Sequence, residues 1–274
     1  MNKIAKIYCE GTSGSHDYDI LEKVTAGIGV QIDSIGSIRG AGAIIQYKET
    51  KGVEKPSDFY ILFRDRDFDK AIPQAPMLEQ DKERKYCYYS YRNTVENYLF
   101  DTSLVFSFLK EGNLCEKYSI HSENNVKSKF IEAAEKIKYY QAIRHTMGQM
   151  RTGETNFGTK LTEKSGKLPE RLDEEFCKNE AWNRIAKAKS FADCWTKDIF
   201  LENYQNFIDT FNRDFMENFV FLIYFQGKDF ASSLQSILPG FPLKKYYKFA
   251  KKNFDYHQFP DLKQLRELIE RNLI

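Results

Sequence analysis

Apolar side chains fall in short runs along the first hundred residues and at helical spacing after them. Residues 4–9, IAKIYC, form a run short enough to predict a strand, followed by the turn-forming EGTSGSHD and a helix of about ten residues from Asp17. VQIDSIGS at 30–37 predicts a second strand with a glycine exit, GAGAIIQYKET at 40–50 a helix, and FYILFR at 59–64 a third strand. Strands alternating with helices predict a central parallel sheet. The aromatic segment RKYCYYSYR, 84–92, predicts another strand, with helical pieces in TVENYLFD and TSLVFSFLKEG and a cap from residues 101–103. From Lys127 onward the apolar period becomes helical, over 127–147, 173–191, 198–225, 229–238 and 260–272. A polar, glycine-dotted loop at 147–170 interrupts this series and is expected to be mobile. The pattern predicts an α/β domain over residues 1–125 and a helical carboxy-terminal region over 126–274 packed on it.

Composition narrows the class. With 274 residues, 42% of them hydrophobic and 15% aromatic, the chain can bury a sizeable core, and its 29% charged residues fit a soluble globular protein. The most apolar run, FVFLIYF at 219–225, is too short to span a bilayer, and MNKIAKIYCEG lacks the apolar stretch of a secretory leader. Five scattered cysteines without a C-x-x-C pair argue against a disulfide framework and a zinc site, so a reducing cytoplasm is expected. The net charge of +2 carries no nucleic-acid signal by itself, and the four histidines are too dispersed for a metal site.

The acids carry more. Asp65, Asp67 and Asp69 follow the third strand on alternate positions, and Glu10 follows the first. In a parallel sheet, ligands bind beyond the carboxyl ends of the strands. If the two strands are neighbours, Glu10, Asp65 and Asp67 converge, and such a cluster calls for a hard cation, Mg2+ or Mn2+. Alternatively, the aspartates form a solvated turn salt-bridged to Arg64 and Arg66. Asp69 reads as a turn or cap residue in either case. The GTSGSH loop, 11–16, can offer backbone N–H groups to a phosphate but lacks the P-loop pattern, and neither Ser13 nor Ser15 has the partners of a nucleophile.

Glu10-Gly11 followed 55 residues later by Asp65-Arg66-Asp67 resembles the TOPRIM domain, a Rossmann-like α/β fold. The segments YRNTVENYLF, with Glu96, and YFQGKDFASSL, with Gly227-Lys228-Asp229, resemble signatures of the TOPRIM proteins grouped as the DUF4435 family. The resemblance runs from residue 4 to about 240 and extends more distantly to OLD-type nucleases. It implies a metal-dependent nuclease in antiphage defence or toxin action, as in the effector of the PARIS system, with RNA such as tRNA as substrate. DNA cleavage of the OLD type and a non-cleaving binding or regulatory module are the alternatives. On the resemblance, Glu10, Asp65 and Asp67 hold Mg2+ or Mn2+. Glu96 is a further ligand or orients a water, Glu10 can also manage a proton, and Lys228 neutralises charge on the phosphate. A homo-oligomer and an ATPase partner that holds or triggers the protein are compatible with it.

Independently of the resemblance, PLKKYYKFAKKNFDYHQF at 242–259 mixes basic and aromatic residues. Lys244, Lys245, Lys248 and Lys251 on one helix can track a nucleic-acid backbone, or be the solvated face of an amphipathic helix.

Overall fold

The computed structural model describes residues 5–36, 59–68, 70–150, 159, 161, 168–189 and 195–273. The helix expected at 40–50, Asp69 and most of the loop at 147–170 lie outside the described residues. The strands are β1 (Ala5–Cys9), β2 (Val30–Ser34), β3 (Tyr60–Arg64), β4 (Glu79–Gln80) and β5 (Cys87–Tyr89). The helices run α1 (His16–Val24), α2 (Thr102–Glu111), α3 (Cys115–Tyr118), α4 (Glu123–Gln149), α5 (Glu174–Ala188) and α6 (Lys197–Thr210). They continue as α7 (Arg213–Glu217), α8 (Phe221–Tyr224), α9 (Gly227–Ile237), α10 (Leu243–Lys252) and α11 (Pro260–Leu273). Among the described residues no helix is long and apolar enough to cross a membrane.

The fold is mixed α/β, and the chain divides into two compact units. One comprises Met1–Arg66, Pro73–Leu99 and Lys248–Ile274, the other Asp67–Ile72 and Phe100–Tyr247. A single cut at residue 125 does not describe this division, because α11 buries Leu262, Leu265 and Ile269 within the sheet-bearing unit, where it packs on α1 and β1.

The sheet-bearing unit holds five strands in the order β2-β1-β3-β5-β4, parallel throughout except for β4. Two of its three inner strands read as continuous apolar runs: Ile7, Tyr8 and Cys9 in β1, and Ile61, Leu62 and Phe63 in β3, are buried one after another. Consecutive burial means both faces of the sheet are covered, as parallel sheets require. The strand expected over 84–92 contracts to β5. Asp81 accepts from the backbone N–H groups of Glu83 and Arg84, both at 3.0 Å, and holds residues 81–84 in a turn before β5 pairs with β4.

In the helical unit α4 is the central element, packed against α2, α5, α6, α7 and α9. A capping box at Ser122 and Asn125 starts it, and its face of Val126, Phe130, Ala133 and Ile137 is apolar as the period predicts. Its last turns differ: from Tyr140 to Met147 every residue is buried, polar ones included. The single helix expected over 198–225 is three. Asn212 accepts from Phe215 N–H at 3.0 Å to start α7, and Phe219 takes a left-handed conformation, φ 57°, before α8.

One of those buried polar groups has a pH consequence. His145 is stacked on Phe207 at 4.9 Å, meets Phe68 edge-on at 4.8 Å, and its Nε2 lies 2.9 Å from the Tyr224 carbonyl, which makes Nε2 the donor of a neutral ring. Burial, with the positive Arg144 nearby, pushes its pKa down to about 3 despite that carbonyl. The unfolded chain takes up a proton near pH 6.5 and the folded chain does not. Stability is therefore fully present above about pH 6.5 and falls on acidification towards pH 3, at up to about 1.4 kcal/mol per pH unit. His145→Gln can still donate to Tyr224 but cannot titrate, so urea unfolding between pH 7 and pH 4 should show a shallower decline. Equal slopes would contradict the assignment.

Candidate functional site

The register of the sheet answers the question the acids raise. β1 and β3 are hydrogen-bonded parallel neighbours, with Lys6 opposite Tyr60, Ile7 opposite Ile61 and Tyr8 opposite Leu62. Glu10 and Asp65 each follow the carboxyl end of one of these strands, and both line a small cavity of about 20 Å³ with Asp17, Phe63, Arg64 and Val95. That volume is enough to admit a water or an ion.

The loop between β1 and α1 is drawn tight by Asp17, a residue whose role the spacing alone did not reveal. Its carboxylate accepts from Gly11 N–H at 2.7 Å and from the Ser15 hydroxyl, while the Ser15 oxygen itself caps α1. A Cβ on Gly11 would lie 2.1 Å from Ser15 Oγ and 2.2 Å from Asp17 Oδ1, so only glycine admits this approach. Lys251 closes the loop from outside. It is half-buried, ion-paired with Asp19, and donates to the Gly14 carbonyl at 2.9 Å. Of the four lysines expected to face nucleic acid, Lys251 is thus engaged in tying α10 to this loop, while Lys244, Lys245 and Lys248 are exposed. Just before Glu10, burial and then the Asp17 carboxylate push the Cys9 thiol up to about 12, which leaves it a packed side chain and not a nucleophile.

Beyond β3, the residues of D-R-D part company. Arg66 is fully buried. Its guanidinium donates to the Ser90 carbonyl through Nε at 3.1 Å and Nη2 at 2.9 Å, and pairs with Glu79 at 2.9 Å. Arg66 therefore ties the end of β3 to β4 and to the residue after β5. Asp65 accepts at Oδ1 from Val95 N–H at 2.8 Å. That bond caps a short 3-10 helix, Val95–Leu99, and fixes the carboxylate at the strand end.

The segment from Arg92 to Leu99 is a built knot. Thr94 Oγ1 donates to Asn97 Oδ1 at 3.1 Å, Arg92 N–H donates to the Tyr98 hydroxyl at 3.1 Å, and Tyr98 donates in turn to Asp261 at the start of α11. Burial, reinforced by Asp261, holds the Tyr98 phenol well above its usual range. Glu96 is 5% exposed within this turn and is not among the residues lining the cavity, although Val95 beside it is. Asp261, 163 residues from Tyr98, carries no local sequence signal for this role.

Asp67 and Lys228 belong to the helical unit. Asp67 is half-buried with φ 49°, and its Oδ1 accepts from Gln226 Nε2 at 3.4 Å. Lys228 is exposed in the first turn of α9, and its neighbour Asp229, 2% exposed, is ion-paired with the buried Arg144. In the G-K-D segment the lysine faces solvent and the aspartate anchors the helix.

Chemically, Glu10 and Asp65 offer hard carboxylate oxygens of the type Mg2+ and Mn2+ take, and a carboxylate oxygen that accepts one N–H retains a second lone pair. Arg64 in the same lining brings positive charge to these acids, its guanidinium 5.1 Å from the Tyr89 ring centre. Among the described residues no group of three or more His, Cys, Asp or Glu is gathered closely enough to hold a metal ion. No protein-family model matches the sequence, and no curated protein matches it.

The close approach at Gly11 is open to direct measurement. Gly11→Ala should cost about 1–3 kcal/mol in urea unfolding, since Ser15 and Asp17 must give way. A neutral substitution would contradict the packing of this loop.

Proposed function

We propose that the chain is a Mg2+- or Mn2+-dependent nuclease of the TOPRIM type, hydrolysing nucleic-acid phosphodiester bonds. The observation that carries the reading is that Glu10 and Asp65, at the carboxyl ends of adjacent parallel strands, line the same ion-sized cavity. These two residues are the proposed core of the cation site; on the resemblance Asp67, which belongs to the other unit, is the further acid of the motif. A bound cation would polarise the phosphoryl oxygen and acidify a water. Asp65, fixed by Val95 N–H, acts as the rigid ligand, whereas Glu10 is exposed and suited to taking a proton from the attacking water. Lys228 is exposed in the first turn of α9 in the other unit, and its part in charge neutralisation on the phosphate is what the resemblance implies. Glu96, buried in the turn whose Val95 N–H holds Asp65, keeps the part that the resemblance gives it, a further ligand or the group that orients a water.

On the sequence resemblance, the substrate is RNA such as tRNA and the setting is antiphage defence, with OLD-type DNA cleavage as the alternative. The exposed lysines of α10, Lys244, Lys245 and Lys248, support backbone binding to either nucleic acid. A second reading, a non-cleaving TOPRIM module acting with an ATPase partner, is favoured by one observation: no group of three ligands is gathered among the described residues.

Sequencing the 5′ and 3′ ends of RNA and DNA from cells expressing wild type or Glu10→Ala separates these readings. The nuclease reading expects new ends with the wild type that fall at least 100-fold in Glu10→Ala, on the order of what loss of an essential acid removes, with the variant still folded. Identical ends from both chains would contradict it, and no new ends from the wild type would favour the binding module.

A further inference from the structure

The hydrogen bond from Val95 N–H fixes the Asp65 carboxylate only as firmly as Val95 itself is held. The 3-10 helix that Val95 opens is one short turn with poorer hydrogen-bond geometry than an α-helix, so its position must be set from outside. That support comes from a remote stretch of the same compact unit, the start of α11. There Asp261, 1% exposed, accepts at Oδ2 from Tyr91 N–H at 2.9 Å and from the Tyr98 hydroxyl.

One carboxylate oxygen thereby closes residues 91–98 into a loop with Val95 near its middle. A carboxylate only accepts, so the Tyr98 hydroxyl must donate to it, and the hydroxyl oxygen is left to accept from Arg92 N–H at 3.1 Å. Arg92 in turn donates to the Asn97 carbonyl, and its guanidinium lies 5.3 Å from the Tyr98 ring centre and 4.9 Å from that of Phe259. Tyr98 meets Phe259 edge-on at 5.1 Å. The loop is thus gripped at both ends, at Tyr91 and at Tyr98, with Val95 N–H directed at Asp65.

We propose that Tyr98 and Asp261 are positioning residues for Asp65, fixing through this loop the N–H that fixes the carboxylate. The role rests on the reading of Asp65 as a cation ligand beside Glu10, and every residue it involves belongs to the one compact unit. Asp261 lies past the end of the sequence resemblance, at about residue 240, so the role does not follow from that likeness. Burying a carboxylate is costly where an apolar side chain would pack as well, and what the carboxylate adds is a fixed point for two donors.

Three variants test it: Tyr98→Phe removes the hydroxyl and keeps the ring, Asp261→Leu removes the acceptor, and Asp261→Asn keeps one acceptor oxygen for both donors. In crystal structures without metal, Asp65 Oδ1 should lose its 2.8 Å bond to Val95 N–H in Tyr98→Phe and Asp261→Leu, and keep it in Asp261→Asn. The Mn2+ concentration at half-maximal thermal stabilisation should rise about 10-fold in the first two, the size expected when a group that orients a ligand is lost, and return towards the wild-type value in Asp261→Asn. In an Asp65→Ala background, Tyr98→Phe should leave the remaining Mn2+ response unchanged, because the tyrosine acts through the aspartate. A further loss there would overturn the proposal. So would an intact bond between Val95 and Asp65 in both disruptive variants with only the melting temperature lowered, in favour of a purely structural knot. Should Asp261→Leu not fold, Tyr98→Phe alone is held to the same readouts. A wild type indifferent to Mn2+ would refute the nuclease reading, while the crystallographic comparison would still decide the positioning role.

Discussion

The end of β3 is built around a charge with no access to water. Arg66 must satisfy its donors internally, and it does so on the Ser90 carbonyl and the Glu79 carboxylate, which drives three separate stretches of chain into one arrangement. In an extended segment successive side chains point to opposite sides, so an arginine drawn inward turns the preceding Asp65 away from the sheet's interior. Asp65 then meets Val95 N–H and the cavity shared with Glu10. The outward position of Asp65 is thus the counterpart of an inward clamp, and replacing Arg66 with lysine would not preserve it, because one ammonium cannot reproduce the fork.

Around that fixed point the acids are held with unequal firmness. Asp65 is tied to a backbone N–H, and the turn that supplies it is tied through Tyr98 to Asp261. Glu10 stands exposed on a loop whose course is set by Gly11, Asp17 and Lys251. A rigid ligand beside a more accessible carboxylate is a sensible division for metal-assisted hydrolysis, where one group must hold position and another must exchange protons with solvent.

What the sequence revealed follows from how local each signal is. The apolar runs at 4–9 and 59–64 identified β1 and β3, and the acids after them identified the candidate site, because strands covered on both faces and the residues that end them are legible within a few positions. The contraction of β5 was hidden by the aromatic run from Tyr86 to Tyr89, which concealed the turn made by Asp81. The breaks at Asn212 and Phe219 were masked by a phenylalanine-rich stretch that keeps helical spacing across them. Polar residues buried in pairs were the least legible. Arg144 and Asp229 lie 85 residues apart and Tyr98 and Asp261 lie 163 apart, so no local pattern in the chain pairs them. The return of α11 to the sheet was missed for the same reason.

The most direct test of the central claim is anomalous diffraction from crystals soaked in Mn2+. The account predicts an anomalous peak within direct coordination distance of both the Glu10 and Asp65 carboxylates, absent from Asp65→Asn crystals under the same soak. A peak elsewhere alone, or none at Mn2+ concentrations that saturate comparable carboxylate sites, would contradict it.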